Sequence, residues 1–390
     1  YTPRLFAYWI NTYSSGSLRS FFGAGEDITI KSKVGCSGTP EITITNSSGA
    51  AVVNGASMEN ETAPVNSIAI WNYSFTPNST TGTGWYDIMI GPTSNKTYEK
   101  AFYVGEIWTD GWTNGKGTKF PFRKQINVSE PSVIGRSFGI IDTNVTFAYP
   151  ADNRSIRVTL YNGSHHIEIP SQIYDLNQSG DDLLSCNLVF LASLSKNQNR
   201  TYYLHYSKAS TSTSYSSDLS INYTNTDYYI NNSYYTTDFN SSTGGLLQDS
   251  TDEQGTASSI SGITPMEYYP EVQYKLGLSS VTITERGSNA SITLTNGSLM
   301  KRMTALGNMS FYEEYPYNHT VKIYAKNPFI IVEKKLTTND VDRDWYYYYA
   351  DGVILKDEMF SDVCWLNSSA ILTKTPLTAD YTGLDANMSW

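Results

Sequence analysis

The chain is poor in the residues that most often carry chemistry. Its 390 residues include only 3 cysteines and 4 histidines. Cys36, Cys186 and Cys364 are spaced too widely for a zinc or redox motif. Of His165, His166, His205 and His319, the first two are neighbours, so on a strand they point to opposite faces and cannot share one metal. Gly-x-Ser-x-Gly elbows, phosphate loops and His-Glu-x-x-His are all missing, and no cofactor is implied. No apolar run approaches the ~20 residues of a membrane helix. Basic residues are scarce as well: 27 Lys and Arg against 37 Asp and Glu give a formal charge of −10. Without a basic block, nucleic acid and anionic membrane surfaces are poor partners. Residue 1 is Tyr rather than Met, as a cleaved signal peptide would leave it.

Asparagine is what the chain has in excess. Of 30 Asn, 20 begin an Asn-x-Ser/Thr sequon. They are Asn46, Asn60, Asn72, Asn78, Asn95, Asn127, Asn144, Asn153, Asn162, Asn177, Asn199, Asn222, Asn231, Asn240, Asn289, Asn296, Asn308, Asn318, Asn367 and Asn387. With Ser and Thr near a quarter of the chain, chance gives about seven. The surplus points to N-linked glycans and to an extracellular or cell-surface location. Secreted eukaryotic ectodomains of this size usually carry many disulfides, so a cysteine-poor glycoprotein looks more like an archaeal surface protein. Tyrosine is also abundant, at 31 residues, which suits protein interfaces and sugar stacking alike.

The pattern is all-β throughout, with no sustained helical period, and predicts tandem β-sandwich domains. Ile156, Val158 and Leu160 alternate with polar residues, and Asn162-Gly163 predicts a type I′ hairpin turn. Leu184, Cys186, Leu188 and Phe190 alternate next, then Tyr202, Leu204 and Tyr206, so Cys186 is expected as a buried free thiol. Residues 1–20 form an N-terminal extension. Within it Leu5, Phe6, Tyr8, Trp9 and Ile10 read either as a strand of the first domain or as a donor strand for a neighbouring copy. Residues 21–105 fit an immunoglobulin-like sandwich and 106–119 a turn-rich linker. A second sandwich is expected over 120–208, a Ser/Thr-rich linker over 209–217, and a larger sandwich over 218–390.

Pro170-Ser171-Gln172 and Thr201-Tyr202-Tyr203-Leu204 resemble the hairpin and strand of the β-sandwich that follows the catalytic domain in family-38 α-mannosidases. Gly244-Gly245-Leu246-Leu247, Glu285-Arg286-Gly287 and Pro328 to Glu333 resemble strands of that family's larger galactose-mutarotase-like sandwich. The resemblance covers roughly 121–335 and implies fold rather than activity. The family's catalytic domain has no counterpart here. The last unit is also shorter than the family's large sandwich, as an incomplete one would be.

One acidic run warrants weighing. Asp340, Asp342 and Asp344 alternate in a loop and could converge on Ca²⁺, but an EF-type loop needs Gly where Trp345 stands and Glu where Asp351 stands. Three function classes follow. The favoured one is a non-enzymatic structural glycoprotein, a subunit of a surface layer, sheath or filament whose partners are copies of itself and N-linked glycans. The alternative is a carbohydrate-binding or accessory module of a polysaccharide-processing protein. The third is an enzyme whose site residues the sequence does not reveal.

Overall fold

A computed structural model describes residues 6–35, 38–62, 68–78, 80–91, 96–108, 120–131, 135–208, 213–224, 227–241, 246–252, 266–276, 279–284, 290–308, 316–327, 330–336, 347–355, 362–366 and 372–376. Strands dominate them, and the longest helical segment among the described residues is the 3-10 turn Asn153–Ser155, capped by the Asp152 side chain. The chain forms two units. The first holds residues up to Asp218 together with Asn296–Met300 and Tyr324–Asn327, and the second holds the rest.

The first sandwich uses β1 (Phe6–Ser14), β2 (Ser17–Leu18), β3 (Phe21–Gly23), β4 (Ile28–Gly35), β5 (Glu41–Thr45), β6 (Ala51–Ser57), β7 (Glu59–Asn60), β8 (Ile68–Phe75), β9 (Gly84–Ile90) and β10 (Lys96–Gly105). Its sheets run β2-β1-β4-β8-β7 and β3-β10-β9-β5-β6. Period-two alternation aims Ile28, Ile30 and Val34 of one sheet at Ile42, Ile44, Ile88 and Ile90 of the other, all fully buried. The ring of Tyr86 stacks on Phe102 at 5.0 Å, and its hydroxyl reaches the Thr81 and Gly82 carbonyls at 2.7 Å. β1 pairs antiparallel with β4, from Phe6↔Gly35 to Tyr13↔Thr29. The N-terminal segment is therefore a strand of its own sandwich and not an unpaired extension. The ladder to β4 and the packing of Ile10 on the core hold it there.

The second sandwich uses β11 (Ile107–Trp108), β12 (Phe122–Glu130), β13 (Arg136–Ala151), β14 (Arg157–Tyr161), β15 (His166–Ile169), β16 (Ser171–Ser179), β17 (Asp182–Leu194) and β18 (Gln198–Tyr206). Its sheets run β11-β15-β14-β18-β12 and β13-β17-β16. Val158, Leu160, Ile167, Ile169, Tyr202 and Leu204 form the apolar face of the larger sheet. Cys186 is buried and free, and burial pushes its thiol up to about 12. Three expectations need correction here. The β14–β15 turn is a four-residue loop, Asn162 to His165, and only Gly163 has positive φ, so it is not type I′. The Asn162 side chain shapes that loop by accepting from the Ser164 and His165 amides. In β17 the register shifts between Thr146 and Ala151 of its partner, so Leu183 is buried and Leu184 is 44% exposed. Third, the linker expected at 106–119 begins as sheet, because Ile107–Trp108 pairs with β15.

Gln172 of the Pro-Ser-Gln motif has a structural task. Its amide oxygen accepts from the Leu299 and Met300 amides at 2.9 and 2.8 Å, and its amide nitrogen donates to the Met300 carbonyl at 3.1 Å.

The second unit, taken by itself, is again strands. Ser220–Thr224, Asp227–Asn231, Tyr235–Asn240 and Leu246–Asp252 form a meander. Ser291–Asn296, Met300–Asn308, Pro316–Tyr324 and Ile330–Leu336 make a second four-stranded sheet. Met266–Leu276 lies between Ser279–Thr284 and Tyr347–Leu355, and Asp362–Leu366 pairs with Leu372–Pro376.

Candidate functional site

The larger sheet of the second sandwich has a second face, and that face is polar yet buried. Register places Thr159 opposite Glu168, Tyr161 and Trp108 each opposite His166, and Arg157 opposite His205. Directly paired residues share a face, so these side chains form one layer behind the apolar one. Thr159 and His205 are fully buried, and Arg157, His166 and Glu168 nearly so. What seals them comes from far along the chain. The fully buried Trp108 stacks on Phe120 at 5.0 Å and meets the His205 ring at 4.6 Å.

Glu168 is the hub of the layer. Its carboxylate accepts from the Trp108 indole at 3.0 Å and the Tyr215 hydroxyl at 2.8 Å, with the Arg157 Nε at 3.5 Å. Burial raises its pKa, nearby Glu106 adds to the rise, and Tyr215, Arg157 and Trp108 oppose it. The Tyr215 hydroxyl is likewise pushed well up, by burial and then by the Glu168 charge. Gly105 allows the approach of the preceding strand, since a Cβ there would lie 2.1 Å from the Glu168 carbonyl oxygen. Tyr215 belongs to the stretch expected to be a free Ser/Thr linker. Instead its described part is a strap, anchored at Tyr215 and at the Ser216 carbonyl, which accepts from the Trp85 indole at 3.0 Å.

Thr159 Oγ1 bridges the two histidines, 2.8 Å from His166 Nδ1 and 3.0 Å from His205 Nε2. A hydroxyl has one proton, so it donates to one ring and accepts from the N–H of the other. Both rings are held neutral at physiological pH: burial, then His166 and Arg123, lowers His205 to about 3, and burial lowers His166. A cavity of about 180 Å³ borders the layer at Arg157 and Tyr215, with Gln172 and Arg154 on its walls. The layer therefore contains acid and base groups largely withdrawn from solvent. Glu168 holds the Trp108 lid and the Tyr215 strap in place.

The surface carries the other candidates. Fifteen of the twenty sequon asparagines have described side chains, and none is buried. Asn60, Asn78, Asn127, Asn144, Asn177, Asn199, Asn222, Asn296 and Asn318 are exposed, while Asn46, Asn72, Asn153, Asn162, Asn231 and Asn240 are half-buried. At Asn46 and Asn78 the side-chain oxygen accepts from both the amide and the hydroxyl of the residue two places on. Asn308 lies on a strand, but its side chain falls outside the described residues, as do Asn95, Asn289, Asn367 and Asn387 entirely. The candidate calcium loop at Asp340, Asp342 and Asp344 also falls outside them, as does Leu5, and Phe6 and Tyr8 are described only as backbone. Among the described residues no group of three or more acidic, histidine or cysteine side chains is placed to hold a metal, and no helix is long and apolar enough to cross a membrane.

The sequence pointed to the sequons and missed the polar layer. Arg157, Thr159, His166 and Glu168 alternate with apolar residues as a solvated face would. Trp108 and Tyr215 were the available signal, large aromatics inside stretches rich in turn residues.

No family model matches the chain, and no curated protein matches it. Among solved structures it is similar to trypsin-activated alpha-2-macroglobulin from Escherichia coli, at 8% identity and a TM-score of 0.21, over 86% of this chain and 24% of that one. It is similar to Salmonella alpha-2-macroglobulin reacted with methylamine at 6% and 0.21, over 95% and 23%. The native conformation of the E. coli protein gives 9% and 0.20, over 97% and 23%. This chain spans about a quarter of the length of those proteins, and likenesses so slight transfer nothing of their function.

Proposed function

We propose that the protein is a heavily N-glycosylated extracellular structural protein, a subunit of a surface layer, sheath or filament built from copies of itself. The observation that carries this is the sequon set: about three times the number chance gives, with every described member reachable by solvent. Core polar positions in a β-protein would not sort themselves that way. The sealing of the acid–base layer adds support for a structural rather than a catalytic role. Low cysteine content together with dense sequons favours an archaeal surface as the setting. Glycopeptide mass analysis of the native protein should find modification at about ten or more of the twenty asparagines, and fewer than about four would overturn the reading. Electron microscopy of native material should then show a lattice or fibre.

Sugar binding, as an accessory module of a polysaccharide-processing protein, has one observation in its favour, beside the sandwich resemblance to family-38 α-mannosidases. The Tyr149 ring is 55% exposed and lies flat on Phe122, at 4.4 Å and 12°, a platform of the kind sugars stack on. Dispersed monomers that bind a polysaccharide column, and lose binding in Tyr149→Ala, would favour it over assembly.

A further inference from the structure

We propose that glycans at Asn127 and Asn144 act as edge guards, preventing one flank of the second sandwich from pairing with a second copy of this chain. This rests on the glycosylation reading above and assigns two of its sites a task.

A strand at the edge of a sheet offers unpaired N–H and C=O groups to any other chain. Most outermost strands of the first unit are short or irregular. β2, β7 and β11 have two residues each and β3 has three. β6 is longer but shifts register twice against β5 and carries Gly55 at φ 61°. β16 shifts register on both sides of Asn177. Such bulges twist an edge away from flat pairing.

Two outermost strands are long and regular. β12 is outermost in its sheet and pairs without interruption from Phe122↔Tyr206 to Glu130↔Gln198. β13 is outermost in the other sheet and pairs without interruption from Gly139↔Ala192 to Thr146↔Ser185. They occupy the same flank: the Lys124 amine of β12 donates to the Thr146 carbonyl of β13 at 3.4 Å, and Phe122 stacks on Tyr149. Among the described strands, none pairs with the outer side of either stretch. Each regular stretch contains one exposed sequon, Asn127 in β12 and Asn144 in β13. Both side chains stand on the sheet face, the Asn144 amide donating to Asn187 at 3.1 Å. A strand rises ~3.3 Å per residue, so a branched sugar there blocks the edge by overhanging several residues on each side. Assembly of the protein then has to use other surfaces.

The test compares three double variants secreted from a glycosylating host: N127Q/N144Q, S129A/T146A, which removes the same sequons and keeps both asparagines, and N78Q/N177Q, which removes a loop glycan and one from a bulged edge. Sedimentation velocity at rising concentration should show at least about a twofold rise in mean mass for both edge doubles and none for the control. Hydrogen exchange should slow in 122–130 and 139–146 of the associated species. Circular dichroism checks that each variant folds, and the Ser/Thr pair stands if the Asn→Gln pair does not. Unchanged mass in a folded edge double, or equal association in the control, overturns the proposal while the glycosylation reading survives. Bare Asn127 and Asn144 in wild-type glycopeptides would remove both at these sites.

Discussion

The two faces of the sheet β11-β15-β14-β18-β12 are buried alike and held by different physics. One face offers Val158, Leu160, Ile167, Ile169 and Leu204 to the opposing sheet, a contact driven by removal of apolar area from water. The other offers Arg157, Thr159, His166, Glu168 and His205 to a lid, and every polar group there must find a partner or impose its desolvation cost. The first face tolerates imprecision and the second does not. A polar layer specifies where Trp108 and Tyr215 go, because only one placement satisfies Glu168.

The largest expected effect comes from opening the polar face to water. Trp108→Ala should cost about 3–5 kcal/mol, since it removes a fully buried ring and leaves the Glu168 carboxylate short of a donor. Leu204→Ala on the apolar face leaves a cavity alone and should cost about 2–5 kcal/mol. Urea unfolding of both variants checks the ranking. A Trp108→Ala loss well below that of Leu204→Ala would mean that the lid covers the layer without securing it.

This contrast also marks how far the sequence could be read. Alternation at Ile156, Val158 and Leu160, or at Tyr202, Leu204 and Tyr206, gave the apolar face directly, and with it the all-β class. The polar face follows the same period, and nothing local separates a solvated Thr159 from a buried one. That distinction depends on Trp108, Phe120 and Tyr215, which arrive from about 40–60 residues away, Trp108 and Tyr215 out of stretches that read as linkers. The sequons needed no tertiary information to be found, because their signal is a tripeptide count.

A smaller effect is expected at Thr159→Val, which keeps volume and removes the hydroxyl between the two rings. Two buried ring nitrogens then lose a partner, at about 1–3 kcal/mol in urea unfolding. Thr159→Ser retains the hydroxyl and should recover most of that. If Val and Ser variants are equally stable, water has entered and the layer is less sealed than its burial indicates.

The smallest effect is read from a slope rather than from a loss, and it distinguishes the two faces most sharply, because only the polar one can respond to pH. Burial raises the Glu168 pKa in the folded state above its ordinary value. Between those two values the folded chain binds more protons than the unfolded chain, so Glu168 makes stability fall as pH rises through that window. His205 does the opposite: its folded pKa is lowered to about 3. The unfolded chain therefore binds the extra proton between about 3 and the ordinary histidine value near 6.5, and stability rises with pH across that range. Glu168→Gln should remove the falling contribution and leave the rising one. The glutamine can keep its oxygen toward the Trp108 indole and turn its NH₂ toward Tyr215, whose hydroxyl accepts as readily as it donates. The nearly buried Arg157 loses its carboxylate partner, so the urea midpoint should fall at every pH and its slope is the readout. The midpoint should climb more steeply from acid to neutral pH than in the wild type. Superimposable wild-type and variant profiles would show that Glu168 does not shift between the folded and unfolded states, and that the Arg157 and Tyr215 contacts offset its burial in full.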